Sequence, residues 1–462
     1  MSVDIDTVPA GGAARKAIKF PLYRTALGFV RDPLQQLERM GEQAGGRLMR
    51  VGLGASRPYL ATDPEDVEQV LRYQSERFDR SGLYWRPIRE LMTDSILDEG
   101  PGWDASKRTL QPVFSLHNTK KLTALMAEAI NGAVDGLEEH ARGGTPVDML
   151  QEMYLIINET VVKVLFGDKI TRAEADVMIP PLQQIVIRIA YRFLFPFMPR
   201  AVPMPGDRAF RNAVEAMDSS LFALVERYRD DPGEGNDIFT ALCRASKEDG
   251  RPVDDRWIRS NLLATFGASN ETTTVALTWL WPLLNQNPEV GEKLHEEARR
   301  VVGTGRVSAD HLPELQYTKQ VVQELLRIFP VGWLFSRVAT EDTVLSGVRI
   351  RKGDTVLVSP FVTQRMKSIW GEDARSFDPD RFEPERARRY HRYAYFPFGG
   401  GPHQCVGRHI VQAEAQLILA SIFSRFRIRP ADGAQMPKPQ VGLTLRPDKP
   451  IMMTLDPVQR SA

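Results

Sequence analysis

The segment around Cys405 constrains this chain more than any other feature of its sequence. Residues 396–408 read FPFGGGPHQCVGR, with three consecutive glycines ahead of the cysteine. Glycine allows positive φ and lets the backbone approach a flat ligand closely. A helical pattern begins near Gly407, so we expect Cys405 just before a helix N-terminus, where the helix dipole and free N–H groups favour thiolate over thiol. Such a thiolate can bind a metal or act as a nucleophile.

Composition limits the kinds of protein that can carry this segment. The chain has 462 residues, of which 42% are hydrophobic and 26% are charged, and its formal net charge is +1. This balance is ordinary for a globular protein and gives no overall attraction to nucleic acid or anionic membranes. The two cysteines, Cys243 and Cys405, are too few for a disulfide-rich secreted protein. They are also too far apart in sequence to suggest a structural zinc site.

The N-terminus and the distribution of apolar residues bear on localisation and domain organisation. Residues 1–20 lack the apolar core of a signal peptide, and no run of 18 apolar residues occurs, so no membrane span is expected. We expect a cytoplasmic protein with a flexible tail over residues 1–19. No repeat, linker or change of composition follows the tail, which favours one domain over residues 20–462.

Apolar periodicity predicts a mainly helical chain with a smaller β portion. The central predicted helix is long enough to cross a domain, at roughly 45 Å for a rise of 1.5 Å per residue. The predicted helices cover residues 118–142, 147–167, 254–284, 288–302 and 314–328. The predicted hairpins pair residues 47–53 with 58–62, and 344–350 with 355–359 through a turn at 352–353.

The cysteine segment resembles the haem-binding loop of the cytochrome P450 superfamily. Phe398, Gly401, His403, Cys405 and Gly407 match the spacing Phe-x-x-Gly-x-(Arg/His)-x-Cys-x-Gly. The resemblance implies haem b (iron protoporphyrin IX) with Cys405 as the axial iron ligand, and a thiolate there favours O–O cleavage. It implies that Phe398 packs near the sulfur and that His403 reaches a haem propionate. The implied fold is a single triangular domain with the haem between the long central helix and the helix after the cysteine.

A second match to this family concerns two segments ahead of the cysteine loop. Glu324 and Arg327 lie three residues apart on a predicted helix, where their charges can pair, and Arg381 follows in the segment FDPDRF. The resemblance implies that Glu324, Arg327 and Arg381 form a structural triad that stabilises the region behind the haem.

A third match lies in the long central helix. Residues 268–273 read ASNETT and resemble the family segment Ala-Gly-x-Asp/Glu-Thr-Thr. A threonine hydroxyl in mid-helix can bond back to a carbonyl and bend the helix. The resemblance implies that Thr272 is the hydroxyl on the oxygen side and that Glu271 delivers protons, which is ordinary general acid catalysis. Ser269 stands where glycine is usual, and its side chain is expected to narrow or re-polarise the oxygen groove.

A fourth match concerns the haem propionates. The segment from Trp103 resembles the family's Trp-x-x-x-Arg helix, whose arginine contacts a propionate, but Lys107 holds that place here. A lysine is a point charge that cannot make a bidentate fork, so either Lys107 or the neighbouring Arg108 is expected to take over. Arg337 stands where the family has another propionate-pairing arginine, and with His403 it would complete a cationic ring.

The substrate pocket is expected, by family position, within residues 82–97, around 180–198, and within 262–269, 331–335 and 441–445. Most candidates there are apolar, which suits a terpenoid, fatty or aromatic substrate. The candidate pocket residues are Leu83, Tyr84, Trp85, Ile96, Leu263, Phe266, Ala268, Trp333, Leu334 and Leu443.

The electron donor is expected to be a separate protein. The chain has no Gly-rich flavin or nicotinamide fingerprint and no iron–sulfur cysteine set. In the family, basic residues flank the proximal face, where they would steer an acidic ferredoxin or flavodoxin. We expect a ferredoxin with its NAD(P)H reductase, and a monomeric enzyme. The candidate docking residues are Lys120, Lys121, Arg386, Arg388, Arg389 and Arg392.

These observations predict a bacterial-type monooxygenase that activates O2 and hydroxylates or epoxidises a small apolar substrate. The substrate would be an intermediate of secondary metabolism, either terpenoid or aromatic and amino-acid-derived. One alternative keeps the haem-thiolate site but uses it for oxidative C–N or C–C coupling, or for oxidation driven by peroxide. Another is a non-enzymatic haem sensor or carrier, a class that mostly uses histidine as the ligand.

Overall fold

The computed structural model describes residues 15–53, 56–194, 202, 206–247, 250–431, 433 and 435–458. Helices account for most of these residues, and short strands form a smaller β portion, so the predicted fold class is confirmed. Within the described part of the chain, no helix combines the length and the hydropathy that a membrane crossing requires.

The α-helices range in length from four to 24 residues. Those ahead of the long central helix are α1 Leu22–Arg31, α2 Pro33–Ala44, α3 Pro64–Glu68, α4 Arg86–Leu91, α5 Pro101–Val113, α6 Leu116–Asp135, α7 Leu137–Gly143, α8 Met149–Phe166, α9 Arg172–Leu194, α10 Asp207–Tyr228 and α11 Ile238–Cys243. The central helix and its successors are α12 Asp255–Thr278, α13 Leu280–Gln286, α14 Pro288–Val301, α15 Gln316–Ile328, α16 Pro360–Thr363, α17 Lys367–Trp370, α18 Pro384–Ala387 and α19 Arg408–Arg425.

The strands are short and form small sheets. They are β1 Ile18–Phe20, β2 Met49–Val51, β3 Tyr59–Ala61, β4 Phe78–Asp79, β5 Val147–Asp148, β6 Phe335–Ala339, β7 Thr343–Leu345, β8 Val348–Ile350, β9 Thr355–Val358, β10 Phe426–Pro430, β11 Pro439–Val441, β12 Leu445–Pro447 and β13 Met452–Pro457. The largest sheet has the order β1-β2-β3-β9-β6-β4, and the smaller ones are β10-β13-β5, β11-β12 and β7-β8.

Helix α12 crosses the main apolar core and packs against α8, α9, α10 and α19. It begins where the Asp254 carboxylate accepts a hydrogen bond from the Trp257 N–H at 2.8 Å, as N-terminal caps do. The predicted helix over 254–284 is wrong at its C-terminal end, because α12 ends at Thr278 and α13 starts at Leu280. Pro282 explains the break, since its ring has no N–H and would collide with the carbonyl of residue 278 in a continuous helix.

The predicted hairpins have different outcomes. The first is confirmed, because β2 and β3 pair antiparallel. The second is wrong: β7 pairs with β8 through Ser346 and Gly347, whose φ angles are 49° and 75°, and β9 lies between β3 and β6. Positive φ at both central residues is what a two-residue hairpin turn requires. Residues 352–353 therefore connect β8 to a central strand of the large sheet.

The flexible tail predicted for residues 1–19 is too long, because regular structure begins before residue 19. Ile18–Phe20 forms β1, which pairs in parallel with β2, and the Arg15 N–H donates to the Gly347 carbonyl at 3.1 Å. The structure is regular before residue 19 because the apolar side chains of Ile18 and Phe20 pack against a buried cluster. The rest of the predicted tail, residues 1–14, lies outside the described residues.

Candidate active site

The cysteine loop leads into α19, and glycines fix its backbone. Gly399 and Gly401 have φ angles of 67° and 64°, in the left-handed region that other residues rarely adopt. A Cβ atom at Gly401 would lie 1.7 Å from the Leu71 carbonyl oxygen, so only glycine fits there. The Cys405 N–H donates to the Phe398 carbonyl at 2.9 Å, which closes the loop. The absence of a side chain at Gly401 thus allows the loop to pack directly against the backbone at Leu71.

The Cys405 side chain lies three residues before α19 and opens onto an internal cavity. Burial raises the pKa of the Cys405 thiol, while the N–H groups of Gly407 and Arg408 and the charge of Arg408 act in the opposite direction. The N–H groups at the start of α19 thus favour the thiolate, and burial opposes it. A cation next to the sulfur, such as a bound metal ion, would favour the thiolate further.

A cavity of about 340 Å³ separates the cysteine loop from α12. Cys405 lies in one wall of the cavity, and α12 forms the facing wall. Helix α19 also contributes to the lining, through Val411. Most of the lining is apolar, and basic side chains gather at one end. The apolar lining residues include Trp85, Ile96, Leu97, Phe114, Ala264, Ala268, Ala276, Leu326, Val331, Phe335 and Phe398.

The α12 wall carries hydroxyl groups that bond to the helix itself. Thr272 Oγ1 donates to the Ala268 carbonyl at 2.7 Å, and Ser269 Oγ donates to the Thr265 carbonyl at 2.8 Å. This back-bonding satisfies hydroxyls within a helix, and α12 stays helical throughout this stretch. Ser269 adds a side chain to the cavity wall, and the proton of its hydroxyl is bonded to the backbone of α12.

Glu271 follows the hydroxyl wall in sequence but does not line this cavity. Its Oε1 accepts from Thr444 Oγ1 at 2.9 Å and from Arg446 Nε at 2.6 Å, and its Oε2 accepts from Tyr154 Oη and Arg446 Nη2, both at 2.5 Å. Glu271 is 3% exposed and borders a second cavity of about 280 Å³. The structure thus separates Glu271 from Thr272, although the sequence analysis expected them to act together.

The charge of Glu271 shifts the pKa values of the side chains that contact it. Burial and the negative charge of Glu271 raise the pKa of Tyr154. Burial lowers the pKa of Arg446, but its hydrogen bonds to Glu271 outweigh that effect and raise it. Tyr154 lies on α8 and Arg446 on β12, so one carboxylate ties both elements to α12.

Two cations at one end of the cavity, the buried Arg337 and the half-buried Lys107, form no ion pair with the described residues. Arg337 is 6% exposed, its guanidinium donates to the Ser336 carbonyl at 2.9 Å, and no described carboxylate forms an ion pair with it. Burial lowers its pKa to about 9. Lys107 Nζ lies 4.7 Å from the centre of the Trp103 ring, and burial lowers its pKa as well. Lys107 faces the cavity, whereas Arg108 is exposed and does not line it.

Arg80 and Glu99 also belong to this end of the cavity, and the sequence analysis missed both. Arg80 is 4% exposed, lies over the rings of Trp85 and Trp103, and donates through Nε to Glu99 Oε1 at 2.8 Å. His403 Nε2 lies 2.8 Å from the same oxygen but makes no well-directed hydrogen bond. Burial raises the pKa of Glu99, but His403 and Arg80 outweigh it and hold the value at about 2. Glu99 therefore neutralises Arg80.

The predicted substrate-pocket residues are only partly brought to this cavity. Trp85, Ile96 and Ala268 line it. Leu263 and Phe266 do not, because they lie on the other side of α12 and are fully buried in the main core.

The remaining pocket candidates lie elsewhere. Tyr84, Trp333 and Leu334 pack in a second apolar cluster together with the N-terminal strand. Leu443 borders the cavity beside Glu271, and Leu83 is 46% exposed. Residues 195–198 of the expected pocket region lie outside the described residues.

The predicted triad is brought together in the interior. Glu324 pairs with Arg327 at 2.6 Å, and Arg381 Nε lies 3.6 Å from Glu324 Oε1, with all three side chains at most 1% exposed. Arg327 also donates to the carbonyls of Gln364 and Ala374 at 2.7 and 2.6 Å. One buried guanidinium thus cross-links α15 to the irregular chain ahead of the cysteine loop.

Some of the basic residues predicted to dock an electron donor, called here the basic patch, lie beside the cysteine loop. Arg386 pairs with Asp378 at 2.9 Å. Arg392 lines a pocket of about 190 Å³ together with Arg72, Gly401 and Gln404, so it borders the loop. Arg72 is a basic residue that the sequence analysis missed. The patch residues that are exposed are Lys120, Lys121, Arg388, Arg389 and Arg392.

Comparison with known proteins agrees with this geometry. A family model described as Cytochrome P450 matches residues 18–455. The chain is 32% identical over 448 residues to cyclooctatin synthase of Streptomyces melanosporofaciens, covering 96% of this chain and 94% of that protein. It is 28% identical over 411 residues to pentalenene oxygenase of Streptomyces avermitilis, covering 88% and 89%. It is 30% identical over 419 residues to cyclooctat-9-en-7-ol 5-monooxygenase of Streptomyces melanosporofaciens, covering 90% and 89%.

A solved structure extends the comparison to the fold. The crystal structure of the cytochrome P450DA heme domain aligns with a TM-score of 0.86, covering 97% of this chain and 100% of that chain at 23% identity. That likeness concerns the fold alone, and it confirms the predicted P450 fold. Together with the family match over residues 18–455, it shows that the chain belongs to the cytochrome P450 family and is a monooxygenase with a haem-thiolate cofactor.

Proposed function

We propose that the chain activates O2 and hydroxylates or epoxidises a cyclic terpenoid intermediate of bacterial secondary metabolism. The observation that carries the proposal is the largely apolar cavity between Cys405 and the hydroxyl-bearing side of α12, in which the cofactor would take the cysteine side and the substrate the α12 side. A cavity of this kind binds an apolar substrate by burial and offers few polar groups to hold an amino-acid-derived one. Cyclooctatin synthase and pentalenene oxygenase, which are named for terpenoid compounds, support the choice of substrate class.

The cofactor is proposed to be haem b, whose iron Cys405 Sγ would hold. The half-buried Lys107 and the buried Arg337 supply two positive charges without ion pairs to the described residues, which would suit the two propionates of that haem. Because Glu99 already neutralises Arg80, these two charges balance the propionates. When bound, the haem iron supplies O2 activation, to which a thiolate ligand contributes electron density.

The remaining residues of the cysteine wall are proposed to orient that group. The rings of Trp103 and His403 lie 4.3 Å apart, which fixes the imidazole at the basic end of the cavity. His403 Nε2 lies 2.8 Å from Glu99 Oε1, so it would have to turn from that carboxylate to donate to a propionate. Phe398 lines the cavity beside the sulfur, and Gly407 leaves the space next to it open. Glu324, Arg327 and Arg381 are proposed to act as scaffold.

Thr272 is proposed as the hydroxyl that holds a proton on the oxygen side. It lines the cavity, and its proton becomes available when its bond to the Ala268 carbonyl exchanges. Glu271 is proposed to bring protons from the second cavity to the neighbouring turn of α12. For this the carboxylate must release Arg446, because all its present hydrogen bonds point away from Thr272.

The electron donor is proposed to be a ferredoxin with its NAD(P)H reductase. Arg72 and Arg392 border the cysteine loop, so an acidic protein bound there approaches the sulfur side of the cavity. We further propose a cytoplasmic monomer in which the chain from β1 onward forms one domain. Electron transfer that weakens steeply with ionic strength, and that weakens less in Arg72→Gln/Arg392→Gln, would support this docking surface.

The substrate proposal is tested with a panel of cyclic terpene hydrocarbons and alcohols, read first by substrate-induced shifts of the haem spectrum and then by products formed under isotopically labelled O2. Ala268→Leu fills the cavity and is expected to weaken binding of the bulky cyclic compounds by about tenfold, which corresponds to roughly 1.4 kcal/mol. The matched control is Ala216→Leu, at an exposed position on α10. A product without label would contradict oxygen insertion from O2 and favour coupling or peroxide chemistry.

A further inference from the structure

Helix α1 carries an exposed apolar stripe on one side. Tyr23, Leu27 and Val30 are 79%, 62% and 82% exposed, and their spacing of four and three residues places them on the same side of the helix. The opposite side, with Thr25 and Phe29, is buried or packs against an apolar cluster. Single exposed apolar residues are common on protein surfaces, but a continuous stripe marks an interaction site.

The same part of the chain is strongly basic. From residue 15 to the end of α1 there are five basic residues and no acidic one: Arg15, Lys16, Lys19, Arg24 and Arg31. All five are exposed, and none forms an ion pair with a carboxylate of the described residues. At about 100° per residue, Arg24 and Arg31 both fall beside the stripe on the helix surface. Apolar groups and free cations therefore share one face.

We propose that this face, the α1 stripe of Tyr23, Leu27 and Val30 with its neighbouring cations, docks on the surface of an anionic lipid bilayer. A helix of this type lies in the plane of the interface, with its apolar side in the headgroup and acyl boundary and its basic side chains among lipid phosphates. The docking is peripheral and does not depend on the substrate or on the chemistry at Cys405. It would hold the enzyme beside the phase in which apolar compounds accumulate.

Charge complementarity favours lipid over the other possible occupants of the stripe. A second copy of the chain, related by a two-fold axis, would bring the same basic face against itself, and like charges facing each other oppose association. Val177, an exposed apolar residue on α9, lacks this setting, because it lies next to Asp176 and close to Glu174. The combination of an apolar stripe with cations that form no ion pair among the described residues thus distinguishes α1 from α9.

The proposal is tested by sedimentation of the haem-loaded, full-length protein with vesicles of phosphatidylcholine alone or mixed with phosphatidylglycerol. We expect binding to the mixed vesicles that weakens as salt is raised. Leu27→Gln/Val30→Gln is expected to lower the partition coefficient by about tenfold or more, because it removes the apolar contact. Arg24→Gln/Arg31→Gln is expected to remove most of the preference for phosphatidylglycerol.

The matched control is Leu155→Gln/Val177→Gln, which changes a leucine and a valine that are 53% and 64% exposed on other helices. Its partition should equal that of the parent protein. Each variant is first checked for an unchanged haem spectrum, so that misfolding is not mistaken for lost binding. A polarity-sensitive dye on Tyr23→Cys should shift to shorter wavelength with mixed vesicles, and the same dye on Val177→Cys should not.

Several results would overturn the proposal. One is the absence of sedimentation with both kinds of vesicle at low salt. Another is an equal loss of binding in the Leu27/Val30 variant and in its control. A parent protein that is a dimer in solution and becomes a monomer in Leu27→Gln/Val30→Gln would assign the stripe to a second copy of the chain instead.

Discussion

The two walls of the main cavity are built in different ways. The cysteine wall comes from one short stretch, in which Gly399 and Gly401 set the backbone and the Cys405 N–H closes the loop. The hydroxyls of the α12 wall bond to the helix itself, and Glu271, next to Thr272 in sequence but outside this cavity, is held by distant parts of the chain, α8 and β12. Substitutions in the first wall should therefore remove the site altogether, whereas those in the second should change its performance by degrees.

The largest effect is expected from Cys405→Ser. A serine hydroxyl stays protonated where a thiolate ligand is needed, so the reduced carbon monoxide spectrum should lose its thiolate form and monooxygenase activity should vanish. Cys243→Ser, at the other free cysteine, should leave both unchanged apart from a modest loss of stability. A thiolate spectrum that survives in Cys405→Ser would refute the assignment of the ligand.

A large loss of stability is expected from Glu324→Gln. The change leaves Arg327 buried without its negative partner, which costs about 3–5 kcal/mol of the free energy of unfolding. Glu341→Gln removes one partner of the exposed pair with Arg77 and should cost at most about 1 kcal/mol. Urea unfolding of the haem-loaded proteins measures both. Equal losses would mean that the triad is not part of the rigid support of the cysteine wall.

An intermediate effect on turnover is expected at the α12 wall. If Glu271 moves protons, Glu271→Gln should lower kcat by about 100-fold, the usual contribution of a positioned acid, and enlarge the solvent isotope effect. Arg446→Gln frees the carboxylate, so it should destabilise the fold without a comparable fall in kcat. The same loss in both variants, with no change of isotope effect, would show that the network only fastens α8 and β12 to α12.

Glu414 on α19 predicts a dependence of stability on pH. Burial raises the pKa of its carboxyl from 4.5 to about 8. The folded state keeps a proton that the unfolded state has lost, so this contribution to stability is full below pH 4.5 and is lost as the pH rises toward 8. Glu414→Gln should remove this decline, and urea midpoints at both ends of the range would show it. A parallel decline in the variant would contradict the assignment.

The smallest effect is expected from Ser269→Gly, which restores the residue usual in the family. Glycine within a helix costs about 0.5–1 kcal/mol, and little else should change because the serine hydroxyl is already bound to the Thr265 carbonyl. Ser220→Gly, at a back-bonded serine on α10, is the matched control for stability. A several-fold change in oxygen binding, seen only at position 269, would show that this side chain does shape the groove.

The sequence predicted the parts of the site that short motifs encode. The cysteine loop and the pair formed by Glu324 and Arg327 depend on neighbours within one turn or loop, so their geometry follows from spacing. Glu99 escaped prediction because its role arises only when Arg80 and His403, from distant segments, meet around one oxygen. No local pattern marks such a contact.

The side of α12 that faces the cavity could not be predicted for a different reason. Nearly every residue from Trp257 to Thr278 is buried, so the helix has no polar side that would fix its rotation. Leu263 and Phe266 were therefore assigned to the pocket when they belong to the core. The second hairpin was predicted wrongly for a similar reason, because the buried strand β9 pairs with β3 and β6, and β3 lies far from it in sequence.

The unpartnered cations at Lys107 and Arg337 have a consequence for how the protein is produced. Arg337 is buried and Lys107 is half-buried beside an apolar cavity, so both charges destabilise the chain until anions neutralise them; if the cofactor is the proposed haem b, its binding and the completion of folding are thermodynamically linked. Cofactor supply then sets the amount of folded protein as well as its activity. A cell that synthesises the chain faster than the cofactor will accumulate a species exposed to proteases, and its yield will follow the slower of the two syntheses.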